Sequence, residues 1–251
     1  MPDLSLPEWQ PADTASARAQ QHFLEAEGVY DLLIETDPED LDGPEPDSDN
    51  FLLFENLDAY YETSNPALAA HLHYGIDGTF ALATHPAPTF AIAAAWLVAR
   101  GADPGAFLHP AGHGGTPVDE RSAAVAARFI ADHARYEHVE HVVEPDETWV
   151  MLRDTTSAGA TRPFLLQLET GDPERGYTLR EGSFTSPQEV QQWLETRRTA
   201  LPPVAQGEAT VVYSPKALAA RARIIATPAK GSAAEAAPAP LPAPAGRRAV
   251  R

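Results

Sequence analysis

The chain contains no cysteine. Disulfides, thiolate nucleophiles and cysteine-ligated zinc or iron–sulfur sites are therefore excluded. Bases are scarce as well: 18 lysines and arginines stand against 36 acids, a formal net charge of -18. Phosphate repels such a body, which argues against general nucleic-acid binding. An anionic bilayer repels it too. Long apolar runs are missing. The longest, residues 90–99, is mostly alanine and about half the length a membrane-crossing helix needs, so it reads as a buried helix. The first residues, Met-Pro-Asp-Leu-Ser-Leu-Pro-Glu-Trp, carry neither a basic stretch nor an apolar core. The expectation is a cytoplasmic protein without a signal peptide.

Catalytic signatures are absent in the same way. There is no G-x-S-x-G elbow, no S-x-x-K, no H-E-x-x-H and no P-loop. Gly112-His113-Gly114-Gly115 fails to complete G-x-G-x-x-G, because Pro117 stands in the last place. No internal sequence repeat is evident.

What the chain does have is charge sorted by position. Up to residue 60, Arg18 is the lone base among many acids. From Arg197 onward the balance reverses, with Lys216, Arg221, Arg223, Lys230, Arg247, Arg248 and Arg251 set against Glu208 and Glu235. Such sorting concerns partners and solubility.

Asp13 can cap a first helix that ends before Gly28. Residues 29–35 continue as strand or helix. Residues 36–50, TDPEDLDGPEPDSDN, cannot build a core and read as a solvated loop. Residues 51–54 are a short strand, Asn65-Pro66 starts a small helix to about residue 71, and residues 78–84 alternate as a strand. The alanine-rich helix then closes on Gly101 and Pro104. Thr116-Pro117, with Asp119 and Glu120 behind it, predicts a second long helix with Thr116 as its cap. Four short strands follow at about residues 138–143, 149–153, 163–168 and 177–181, an antiparallel meander. Ser186-Pro187-Gln188-Glu189 is a capping box opening an amphipathic helix that carries Val190, Trp193 and Leu194 toward the sheet. A short basic helix is expected at about 215–225, and the Ala/Pro-rich remainder has nothing to bury.

The fold class expected is α+β. The N-terminal half is helix-rich, an antiparallel β-meander in the C-terminal half is covered by the capped amphipathic helix, and the C-terminal tail is disordered. The divisions are an N-terminal helix with the acidic Pro-rich loop (1–50), an α+β globular core (51–202), a linker with the short basic helix (203–227) and the tail (228–251).

Two clusters are candidates for function. The acids Asp37, Glu39, Asp40, Asp42, Glu45, Asp47 and Asp49 form either a solvated loop or a docking surface for a basic protein partner or the basic tail. A calcium loop needs an oxygen ligand where Pro38 falls and a glutamate where Asp49 falls. The second cluster is His133, His138, Glu140 and His141, a set zinc could use. Three residues apart on a strand, His138 and His141 should face opposite sides. His71 and His73 would share a face on a strand, but the helix signal before them favours a structural role. Ala95 to Pro104 resembles the close of an ankyrin repeat, without the spacing such a repeat requires, and no family is assigned. The function expected is a cytoplasmic, non-enzymatic interaction or regulatory protein without a cofactor. The alternatives are a metal-dependent hydrolase using the histidine/carboxylate cluster, and a nucleic-acid-associated accessory protein using the tail.

Overall fold

Asp13 and Asp119 begin the same structure twice. Each lies in extended backbone and accepts a hydrogen bond from the amide three residues on, Ser16 at 2.7 Å and Ser122 at 2.6 Å. Both thus satisfy an amide that a helix start leaves open. The structure is a computed structural model that describes residues 9–26, 28–36, 47–59, 64–108, 115–156, 161–172 and 176–204. In chain order the first unit runs β1 (Gln10–Pro11), α1 (Thr14–Glu25), β2 (Tyr30–Glu35), β3 (Ser48–Asn56), β4 (Ala67–Tyr74), β5 (Thr79–Ala87) and α2 (Phe90–Val98). After the short α3 (Gly105–Leu108), the second unit runs α4 (Glu120–Asp132), β6 (Tyr136–Val143), β7 (Thr148–Asp154), β8 (Phe164–Asp172), β9 (Gly176–Phe184) and α5 (Pro187–Thr196).

The correspondence extends to single hydrogen bonds. Ser16 Oγ accepts from the Leu82 amide at 3.1 Å, and Ser122 Oγ from the Leu179 amide at 3.0 Å. Before each helix the chain runs parallel to the unit's last strand, Pro11 beside Phe80 and Pro117 beside Tyr177. Phe23 packs on Tyr30 with ring centroids 5.6 Å apart, and Phe129 on Tyr136 at 5.7 Å. The first pairing of each sheet is irregular at one matched place, between Leu32 and Ile34 and again between His138 and Glu140. Asn56 and Asp154 end the matched strands β3 and β7, and each accepts from the amide two residues on. Thr89 caps α2 as Ser186 caps α5. Finally Trp96-Leu97 and Arg100 recur as Trp193-Leu194 and Arg197. The chain is therefore an internal structural repeat of a helix, a four-stranded meander and a second helix.

The sheets have strand orders β1-β5-β4-β3-β2 and β6-β7-β8-β9, antiparallel except where β1 joins β5. They stack in five layers. Phe23 of α1 packs on one face of the first sheet, with Phe54, Leu72 and Phe80. The other face, with Phe51, Leu53 and Ala69, meets α2 and α4, which also cover Val150, Leu165 and Leu179 of the second sheet. The far face of that sheet, with Trp149, Met151 and Leu166, takes Val190 of α5. Helix α2 is thus squeezed between two sheets, and its alanines keep the layers close while seven of its residues are buried. Helix α5, its counterpart, lies on the outside, and only Val190 is buried in it. Position in the stack, not position in the repeat, sets their different compositions.

The meander and the capped helix of the second half stand as expected. Ser186 Oγ accepts from the Glu189 amide at 3.2 Å, and Glu189 reaches back to the Thr185 amide at 3.0 Å. The helix-rich N-terminal half is corrected: that half is mainly strands, with β2, β3, β4 and β5 forming the body of the first sheet. Asn65-Pro66 imitates a helix start. However, residues 67–74 have partners on both sides, β3 and β5, and that ladder outweighs a local capping signal. Thr116-Pro117 deceives similarly. The cap is Asp119, and Thr116 instead accepts from the Tyr177 amide at 2.9 Å. The expected basic helix at 215–225 and the tail at 228–251 lie outside the described residues.

Candidate functional site

The middle layer does not cover the whole of the second sheet. Helix α4 lies against β9, and the start of α2 is held by Glu169 on β8. On the β6 side a cleft of about 620 Å³ remains, within the range of small-molecule sites. Helix α2 supplies one wall through Ile92, Ala95, Trp96, Ala99 and Arg100. His85 at the end of β5 stands beside them, while Phe129, His133, Tyr136, His138 and His141 form the opposite wall.

The pairing shift in β6 decides where the histidines point. An extra residue between His138 and Glu140 breaks the two-residue alternation, so His138 and His141 both turn into the cleft. Their rings meet with His138 Nε2 3.0 Å from His141 Nδ1. One of these nitrogens must donate and the other accept, so the pair shares a single proton across that contact. Burial, reinforced by His138, holds His141 below its ordinary pKa. The expectation of opposite faces assumed regular alternation and is overturned by the bulge. His133 lines the same cleft, and its Nδ1 lies 3.0 Å from the Ile130 carbonyl oxygen. Glu140 lies apart, accepting from Gln191 of α5 at 3.2 Å on the far side of the sheet. Among the described residues, no group of three or more histidine, aspartate or glutamate side chains could hold a metal ion.

Opposite the histidines, the Arg100 guanidinium lies 3.4 Å above the Trp96 ring centroid, and its Nη1 donates to the Trp96 carbonyl at 3.2 Å. His85 stacks on Trp96, with centroids 5.4 Å apart and planes 7° from parallel. Burial holds Arg100 below its usual pKa, and burial together with the Arg100 charge does the same to His85. Among the described residues no aspartate or glutamate lines this cleft, although acids outnumber bases 36 to 18 in the chain. Arg100 is thus the one Lys or Arg among the described lining residues, and no carboxylate there faces it.

On β4, His71 and His73 do share a face, because the segment is a strand. Asp49 Oδ1 accepts from His71 Nε2 at 2.7 Å and from His73 Nδ1 at 3.0 Å. Burial pulls Asp49 upward, but the two histidines outweigh it and leave its pKa below the ordinary value. Burial, helped by the charges of Arg100 and His73, lowers His71 more than Asp49 raises it. Of the acidic run, Asp47 takes a left-handed turn at φ 62° and donates its amide to the Tyr74 carbonyl at 2.7 Å. Asp37, Glu39, Asp40, Asp42 and Glu45 lie outside the described residues.

No family model, curated protein or solved structure matches the chain. No helix among the described residues is long and apolar enough to cross a membrane. The functional reading therefore rests on the cleft. Trp96, Arg100 and His85 were not singled out from the sequence. The signal that could have found them was the recurrence of Trp-Leu and a following Arg at residues 96–100 and 193–197.

Proposed function

We propose that the protein is a cytoplasmic, non-enzymatic binding protein of the interaction or regulatory class, and that the cleft between its two units holds a small ligand with a flat, largely apolar body. The observation that carries this reading is the lining: a Trp96–Arg100–His85 stack faces Phe129, Tyr136 and paired histidines across a cavity of ligand size. Aromatic faces at close quarters favour a planar guest, and stacking geometry gives them more than area alone. The non-enzymatic side is supported by what the polar groups do. Among the described residues the lining offers no hydroxyl of Ser or Thr, no Lys and no carboxylate to serve as nucleophile or to orient a histidine base. His138 and His141 are engaged with each other.

The test uses N-phenyl-1-naphthylamine, a neutral dye whose emission rises when it leaves water. The wild-type protein should brighten it. Ala99→Phe, which fills the cleft from the end of α2, should abolish the effect while leaving the unfolding midpoint in place. A dye that stays dark with the wild type, or that brightens equally with Ala99→Phe, removes the cleft as a binding site.

A further inference from the structure

The two units hold one Trp–Arg pair in two different states. In the second unit every polar demand of the pair is met from within. Arg197 forks onto Glu147, with Nη1 3.1 Å from Oε2 and Nη2 on Oε1. The indole N–H of Trp193 donates to the Thr199 carbonyl at 3.0 Å. That carbonyl belongs to a strap of chain after α5. Further along the strap, the Pro202 carbonyl accepts from the Ser183 amide at 3.2 Å.

In the first unit the same pair has neither partner. Arg100 donates to the carbonyl of Trp96 and lies within ion-pair distance of no carboxylate among the described residues. The Trp96 indole N–H has no acceptor among the described residues. The reason can be read from matched positions. Counting back from Asn56 and Asp154, which hold equivalent places in their sheets, Asp49 falls where Glu147 does. Asp49 is one methylene shorter, and its carboxylate is taken by His71 and His73. Arg100 is left as a partly buried guanidinium, stacked on Trp96 at the wall of an open cleft. A fixed planar fork of donors is what a carboxylate binds best.

We propose that the ligand of the cleft carries a carboxylate, and that Arg100 receives it as Arg197 receives Glu147. This inference rests on the cleft being a binding site. It adds the chemical class of the ligand, a flat organic acid, with the Trp96 N–H free to meet an acceptor on it. The histidines opposite contribute no negative charge to oppose it.

The experiment compares 2-naphthoate with its neutral isostere 2-naphthamide by calorimetric titration. The acid should bind the wild type about 10- to 100-fold more tightly, the range of a charge-assisted fork. Arg100→Gln should erase that preference by weakening the acid far more than the amide, and the amide binding that remains shows that the cleft is intact. Asp49→Glu restores the reach that Glu147 has. It should weaken the acid selectively by handing Arg100 an internal carboxylate. If the naphthylamine dye binds but acid and amide bind alike, or if Arg100→Gln keeps the preference, the carboxylate inference falls and the cleft reading stands. If the dye fails to bind, the cleft reading falls and this inference with it.

Discussion

Glu169 ties the units together and should make stability fall with rising pH. It stands on β8 of the second unit, 3% exposed, and accepts from the amides of Phe90 at 2.8 Å and Ala91 at 3.5 Å at the start of α2 in the first. Burial drives its pKa up, the two backbone hydrogen bonds pull it down, and burial wins, raising it from 4.5 to about 8. An unfolded glutamate has no such burial. Between about pH 4.5 and pH 8 the folded chain therefore holds a proton that the unfolded chain has released. The stability this side chain contributes is fully present below the unfolded value and is lost as pH rises through the folded one. Each tenfold change in proton affinity is worth ~1.4 kcal/mol, so the gap amounts to an upper bound of roughly 5 kcal/mol. Glu169→Gln keeps a carbonyl for the Phe90 amide and cannot ionise. Urea unfolding of both proteins from pH 5 to pH 9 isolates the residue, because other groups cancel in the difference. The wild type should lose stability relative to Glu169→Gln across that window and run parallel to it above about pH 8. Parallel curves throughout would mean that the helix amides hold the carboxylate ionised, and the argument from burial would fail.

Ser16 and Ser122 hold matched roles, so their alanine variants should behave alike. Each leaves a buried strand amide, Leu82 or Leu179, without its acceptor, and each should cost about 1–3 kcal/mol in urea unfolding. A loss below about 0.5 kcal/mol in either would show that water replaces the hydroxyl. Trp193→Ala removes a ring packed at 6.4 Å from Phe184 and the anchor of the Thr199 carbonyl, for an expected loss of about 3 kcal/mol. A change under about 1 kcal/mol would mean that α5 and its strap do not depend on the docked ring.

How much of this was legible depended on whether local signals agreed with their surroundings. Ser186-Pro187 and the meander of the second half were, because cap, turns and alternation all point the same way. Strand β4 was not. Its sequence, Ala-Leu-Ala-Ala-His-Leu-His-Tyr, is apolar on both faces, since α2 packs on one and the first core on the other, and that removes the alternation that marks a strand. The histidine cleft was hidden by one inserted residue. A bulge reverses the faces of everything beyond it and leaves no mark in composition. The repeat itself was masked by layering. Phe23 and Phe129, or Trp96 and Trp193, hold their places, but α2 needs alanines between two sheets where α5 needs polar residues against water.

The same comparison explains why one unit is closed and the other open. Gly182 sits where His85 stands in the first unit, and a Cβ there would lie 3.0 Å from both Leu201 Cδ2 and the Pro202 oxygen. Glycine thus admits the strap over Trp193, whereas the imidazole of His85 fills that approach and stacks on Trp96. After α2 the chain turns at Gly101, at φ 120°, and goes on to α3. Shortening the glutamate to Asp49 then frees Arg100 from an internal partner. On the proposed reading these differences turn the Trp–Arg lock of the second unit into a ligand-facing pair in the first, where Arg100 has no carboxylate partner among the described residues.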